Sequence, residues 1–502
     1  MKMIYNVKDK PKFGQLIIFA FQQLLAIMAA TIAVPMIVGN GMSTSAALFG
    51  AGVGTLIYVL FTKAKSPVFL GSSFAFLGAM FAAFGGAATA ALGYMGLIIG
   101  AVFAGLVYVA IAIIVKFAGV KWINKIMPAV VIGPIVAIIG LSLAGNAIGD
   151  LTKVNYTESV DMAVVQVAEV DTIGDDGSIA TIPVALNEDG TVNADISLAQ
   201  GEDGSMTATT QPGSPYVAII CGLITLAVVM LCSVYGKKMS RLIPFIIGIL
   251  AGYAAATCFY FIGKATGNAA LMVIDYSALI NNFKEISFSS FIALPDFSFL
   301  KAFGAFGEIN GAYIGTIAAA YVPVAFVVFA EHIADHKNLS SIIEHDLLED
   351  PGLSRTLLGD GVGSMVGAFF GGCPNTTYGE SIGCVAITKN ASVRTIICTA
   401  VEAIIISFIA PFVAFLSTIP SCVMGGVCIA LYGFIAVSGL KMLQKVDLDD
   451  NRNLFTASVI LIAGVGGFIL TFGSITVTTV ACALILGILT NVMLSKKQKN
   501  NK

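Results

Sequence analysis

The stretch GGCPNTTYGESIG, Gly371 to Gly383, places a carboxylate, Glu380, among apolar runs. A second carboxylate, Glu331, stands in PVAFVVFAEHIADHKN at the end of another apolar run, where an ionised group is costly and marks a functional position by default. Asp335 lies four residues on, on the same helical face, and His336 follows it. The chain's three histidines, His332, His336 and His345, cluster here. Groups that titrate near neutral pH, or can be tuned to, suit a proton-coupled cycle. The plainer alternative makes Glu331 and Glu380 structural carboxylates bonded to neighbouring helices. Asp335 and the histidines would then mark the polar end of a helix, the reading adopted for His345 and for EHDLLEDPGLSR.

The backbone around Glu380 shows what must position it. Pro374 cannot donate a hydrogen bond and CPNTT favours an extended chain over a helix, so a helix is predicted to start only near Tyr378. Its first N–H groups then lack intrahelical partners, which in lipid is prohibitive. The break must therefore face protein or a wet cavity, where those groups can bind a polar ligand. SPVFLGSSFAF, with Pro67 and Gly71 ahead of Phe74, is a second interrupted segment of the same kind. Two broken segments in matching positions of two halves point to a secondary transporter with its site at the bilayer midplane. If Phe74 also starts a half-helix, two helix N-termini converge, and carbonyl oxygens bind well between them. IMPAVVIG and TIPSCVMGG add a further echo, with Pro128, Val131 and Gly133 spaced as Pro420, Val423 and Gly425.

The elements carrying these segments are transmembrane helices. Of 502 residues 57% are hydrophobic and 11% charged, a balance that excludes an ordinary water-soluble globule. Apolar runs long enough to cross a bilayer recur about fourteen times. The N-terminal run is long, lacks a small-residue cleavage site and is read as its own insertion signal. Lysines and arginines fall before the first span (Lys8, Lys10, Lys12), in alternate connections (Lys63, Lys65; Lys116, Lys121, Lys125; Lys237, Lys238, Arg241) and in the tail KKQKNNK. That distribution predicts a multi-pass protein of the cell membrane with both termini cytoplasmic. The net charge of -2 implies no nucleic-acid partner, and the nine cysteines, without metal spacing, read as small core residues. From Asp150 to about Ser214 the chain turns acidic, and SIATIPVAL and GTVNADISL, bounded by DDG and EDG, predict a small extracellular β-hairpin insertion.

FAEHIADH, DLLEDPGLSRTLLGDGVGSMVGAFFGGCPNTTYGESIGCVAITK and LGSSFAF resemble the bacterial uracil permeases, of the nucleobase-ascorbate (nucleobase:cation symporter-2) transporters. The resemblance implies an all-α polytopic fold of about fourteen segments in two inverted repeats, the third and tenth each a short strand plus a half-helix. It implies a first repeat with segments 1–5 in residues 1–149, the insertion at 150–214, segments 6–7 in 215–266, a connection at 267–305 and segments 8–14 in 306–502. Segments 1–4 and 8–11 would form a core domain, and 5–7 and 12–14 a gate domain through which two copies dimerise.

By the same resemblance Glu331 and Glu380 contact the base, while the N–H groups of Phe74 and Gly379 bind carbonyl oxygens and Phe74, Tyr378 and Ala30 flank the ring. The implied activity is uracil import with a proton, sodium being the lesser choice, and no cofactor or metal. Glu331, Asp335 and His336 are the proton-coupling candidates. Three positions depart from the family pattern: Ser381 stands where Asn is usual, Asp335 where uracil permeases have His, and Gln23 where many members have the His of QH. A purine or xanthine carrier is the alternative within the family. A membrane-embedded enzyme is the alternative outside it, and GDGVGSMVG, Gly359 to Gly367, opens no βαβ unit and reads as close helix packing rather than a phosphate loop.

Overall fold

Apolar runs in hydrocarbon must satisfy their backbone within a helix. Among the residues that the computed structural model describes (3–119, 128–162, 165–173, 179–186, 191–193, 196–200, 206–237, 239–472 and 475–495), eight helices are long and apolar enough to cross a membrane. With the shorter ones they fall into two sets of seven segments. Segments 1 to 7 are Phe13–Val38, Thr44–Phe61, the strand Leu70–Ser72 with the helical stretch Phe74–Phe76 and Leu77–Gly85, Ala90–Ala118, Ala129–Ser142 continued by Ala144–Thr152, Pro215–Tyr235 and Pro244–Thr266. Segments 8 to 14 are Gly311–Ile343, Leu353–Gly371, the strand Asn375–Thr377 with Gly379–Thr388, Val393–Ser407, Ser421–Leu443, Asn451–Val465 and Thr479–Ser495.

The packing of the two sets is nearly invariant when they are exchanged. Segments 2 and 9 pack on each other, as do 5 and 12. Segment 4 lies on 9 as 11 lies on 2, segment 6 on 12 as 13 on 5, segment 8 on 4 as 1 on 11, and segment 1 on 7 as 8 on 14. The strands of segments 3 and 10 pair antiparallel about Gly71↔Thr376, with Leu70↔Thr377 and Ser72↔Asn375 on either side, so the two repeats run in opposite directions. Pro128 and Pro420, the matched prolines of the sequence echo, each cap the helix that opens segments 5 and 12.

The crossing of segments 2 and 9 explains the glycine-rich run. A Cβ on Gly50 would lie 2.4 Å from the Gly367 carbonyl oxygen, so only glycine allows the two backbones to meet. GDGVGSMVG is thus a packing face inside a continuous helix, as its sequence context suggests.

Several boundaries are sharper than the sequence reading. Segment 8 does not end near Asp335 but runs on to Ile343, and His332 and His336 are fully buried. Helix Ala144–Thr152 carries segment 5 past residue 150 before the insertion begins with strand Glu158–Val160. The insertion holds a hairpin, Gln166–Ile173 with Ile179–Leu186, and a three-stranded sheet of Glu158–Val160, Met206–Thr210 and Ile196–Gln200. The turns expected at DDG and EDG, Lys121, Lys125, Lys238 and the tail KKQKNNK lie outside the described residues. A hairpin that the sequence reading missed, Leu470–Phe472 with Ile475–Val477, precedes segment 14, because its β-branched residues merge by eye into the apolar run that follows.

Candidate functional site

The two interrupted segments meet at their breaks. The Ser73 N–H donates to the Pro374 carbonyl at 2.9 Å, and the Tyr378 N–H donates to the Phe69 carbonyl at 3.2 Å, so each strand's end is tied to the other's beginning. In segment 10 the helix opens with the Ile382 N–H donating to the Tyr378 carbonyl, which leaves the N–H groups of Gly379, Glu380 and Ser381 ahead of the first helical bond. In segment 3 the Leu77 N–H reaches the Phe74 carbonyl, and the N–H groups of Phe74, Ala75 and Phe76 are in the same position.

Both openings line one cavity of ≈ 430 Å³, within the range of about 300–1,000 Å³ usual for small-molecule sites. Its two walls differ in kind. Segments 3, 8 and 10 supply Ser73, Phe74, Glu331, Asp335, Thr376, Thr377, Tyr378, Gly379 and Glu380. Segments 5, 7 and 12 supply Val136, Ile139, Phe245, Leu431, Phe434, Ile435 and Met442, with Ser438 the one polar residue among them. A flat ligand in this space has its polar edge read by one wall and its apolar surface covered by the other.

Most of the expected site residues come together here. Glu331 and Asp335, one helical turn apart, both line the cavity, and the Thr377 hydroxyl donates to Asp335 Oδ2 at 2.7 Å. The Tyr378 hydroxyl donates to the Ser72 carbonyl at 2.6 Å, and its ring lies over Gly71, where a Cβ would come within 2.3 Å of it. Phe74 meets Tyr432 edge to face. Ala30 is not on the cavity wall; it is buried behind it, in an apolar cluster with Phe69 and Tyr378.

His336 is also elsewhere. Its Nδ1 donates to the His332 carbonyl at 2.8 Å, and its Nε2 lies 2.7 Å from the Tyr58 hydroxyl, so it ties segment 8 to segment 2. His345 sits at the exposed turn beyond segment 8 and bonds the Asp350 carbonyl; Lys65 beside Asp350 holds that carboxyl below its usual range.

Asp360, on segment 9, is a fully buried ionisable group that the sequence reading passed over. His332 Nδ1 lies 2.6 Å from Asp360 Oδ2, and His332 Nε2 lies 3.0 Å from Thr356 Oγ1. The buried His332 ring thus bridges Thr356 and Asp360, four residues apart on segment 9. The signal was available as a lone carboxylate inside a glycine-rich apolar helix. Among the described residues no group of three or more His, Cys, Asp or Glu side chains is arranged to hold a metal ion.

The sequence matches the model of a permease family (Xan_ur_permease, "Permease family") over residues 14–173 and 204–473. The chain belongs to that permease family. The permease is 36% identical to the uracil permease of Bacillus caldolyticus over 98% of its own length and 95% of that protein's. It is 34% identical to the uracil permease of Bacillus subtilis strain 168, covering 99% and 97% of the two chains. Its fold is similar to the transmembrane domain of the cyanobacterial bicarbonate transporter BicA, with TM-score 0.57 at 13% identity over 97% of the permease and 99% of that chain. The two chains therefore share an overall fold.

Proposed function

We propose that this permease imports uracil across the cell membrane together with a proton. The observation that carries the reading is the polar wall itself: two carboxylates, Glu331 and Glu380, and two half-helix openings, at Phe74 and Gly379, face one cavity. Uracil offers two N–H donors and two carbonyl acceptors on a flat ring, the complement of two carboxylates and two sets of free backbone N–H groups. The relatives named as uracil permeases support the same substrate. Phe74 and Tyr378 flank the ring, with Ala30 supporting Tyr378 from behind rather than touching the base.

The division of the packing supports a core of segments 1–4 and 8–11 moving against a gate of segments 5–7 and 12–14, with the cavity at their boundary. Protonation of Glu331 or Asp335 removes a buried charge, and the loaded core can then cross from one access state to the other. Phe245, near the start of segment 7, and Met442, near the end of segment 12, lie toward the end of the bundle that bears Arg241, Lys441 and Lys445. With both termini cytoplasmic, the cavity lies on the inward side. The gate's outer face is then where a second copy docks, and the base crosses without chemical change.

Labelled-uracil uptake by the purified protein in liposomes tests this. An imposed inward proton gradient should drive accumulation that a protonophore collapses, excess hypoxanthine leaves unchanged and Glu331→Gln uncouples from the gradient. Accumulation that follows a sodium gradient instead would overturn the proton, and inhibition by hypoxanthine would move the substrate to purines.

A further inference from the structure

Gln23 of segment 1 and Ser381 of segment 10 are the two ends of one hydrogen bond. Gln23 Nε2 donates to Ser381 Oγ at 2.5 Å and also reaches the Ser381 carbonyl at 3.3 Å. The same hydroxyl oxygen accepts from the Phe69 N–H at 3.1 Å. Gln23 and Ser381 are both buried, at 3% and 0% exposure, so neither contact competes with solvent. Neither residue lines the cavity.

Their place in the chain gives these bonds a consequence. Phe69 holds both ends of the tetrapeptide from Tyr378 to Ser381, its carbonyl accepting from the Tyr378 N–H and its N–H donating to the Ser381 hydroxyl. Between those two anchors lie Gly379 and Glu380, the residues that face the ligand. The first turn of a helix is its least constrained part, because its N–H groups have no partner within the helix. Here the turn is held from outside by segment 1 through Gln23 and by the approach to the first strand through Phe69. A buried amide and a buried hydroxyl that satisfy one another specify a single geometry, since any slippage leaves both unpaired.

We infer that Gln23 and Ser381 act as one lock that sets the orientation of Glu380 and of the Gly379 N–H toward the base. They are positioning residues, and the inference rests on the uracil reading only for the ligand used to measure it. The lock also couples segment 1 to segment 10, so it must be intact in every state in which the base is held.

A double-mutant cycle on the full-length protein tests it, with Gln23→Leu, Ser381→Ala and the combination, each read for uracil uptake KM and Vmax and for the melting temperature of the ligand-free protein. Each single variant should raise KM by about 5- to 10-fold with Vmax within about twofold, because preorganisation of the bound geometry is lost. The double variant should be no worse than the worse single one. A double-variant KM equal to the product of the single effects, or an unchanged KM with a lowered melting temperature, would overturn the inference. If Gln23→Leu does not fold, Gln23→Met keeps the chain length and removes only the amide, with the same expectation. If the wild-type protein takes up no uracil, the uracil reading fails by itself, and the same cycle read on labelled hypoxanthine decides the lock.

Discussion

The strand-plus-half-helix units of segments 3 and 10 share a backbone plan but not a chemistry. Each runs a three-residue strand into a helix whose first N–H groups face the cavity, and each strand pairs with the other. Segment 3 brings Ser73 and Phe74 to its opening, whereas segment 10 brings Gly379 and Glu380. The duplicated backbone thus supplies two equivalent sets of donors, and only one of them carries a carboxylate. Register shows the same division. Ser72 and Asn375 are partners across the ladder, and opposite residues of an antiparallel pair point to the same face. The Asn375 amide donates to the Gly50 carbonyl at 3.0 Å and packs against Gly54 and Gly367, filling the crossing of segments 2 and 9. The Ser72 hydroxyl is buried and makes no hydrogen bond.

The comparison can be broken at several points. Glu380→Gln removes what distinguishes the two openings while keeping their shape; uracil uptake at subsaturating concentration should fall about 100-fold, the loss expected for a hydrogen bond to a charged group. Uptake at the wild-type level would mean that the backbone donors alone orient the base. Gly71→Ala forces the Tyr378 ring away from the strand, since its new Cβ would sit 2.3 Å from that ring. A KM rise of about 10-fold is expected, in line with a misplaced binding group. The two ladder partners sharpen the contrast further. Asn375→Ala should cost about 1–3 kcal/mol by leaving buried polar groups without partners, and a lowered melting temperature in detergent would report it. Ser72→Ala, at the cross-strand partner, should change stability by no more than about 0.5 kcal/mol, because its hydroxyl makes no hydrogen bond. Equal costs for these two would show that the ladder, and not the crossing of segments 2 and 9, governs this region.

Much of this was legible in the residues. Pro374 and the poor helix formers after it foretold a strand before Gly379, and the interruption before Phe74 foretold its counterpart. Glu331 and Asp335, four apart on one helix, were bound to share a face, and both reach the cavity. His336 shows where such reasoning ends. Adjacent to Asp335 in sequence, it lies about 100° around the helix and bonds Tyr58 of segment 2 instead of facing the site. Asp360 and Gln23 were equally visible as polar residues in apolar helices, yet their partners, His332 and Ser381, come from other segments.

By itself the sequence determined the membrane as solvent, the two interrupted segments and the residue types able to meet a nucleobase, because composition, helix propensity and the missing N–H of proline act locally. Tertiary structure alone decided that the two breaks cross, that Glu331, Asp335 and Glu380 share one wall and that Ser381 is held by segment 1. Those outcomes depend on packing between segments far apart in the chain, where close approach at Gly50 and Gly367, and not any local preference, sets the distances.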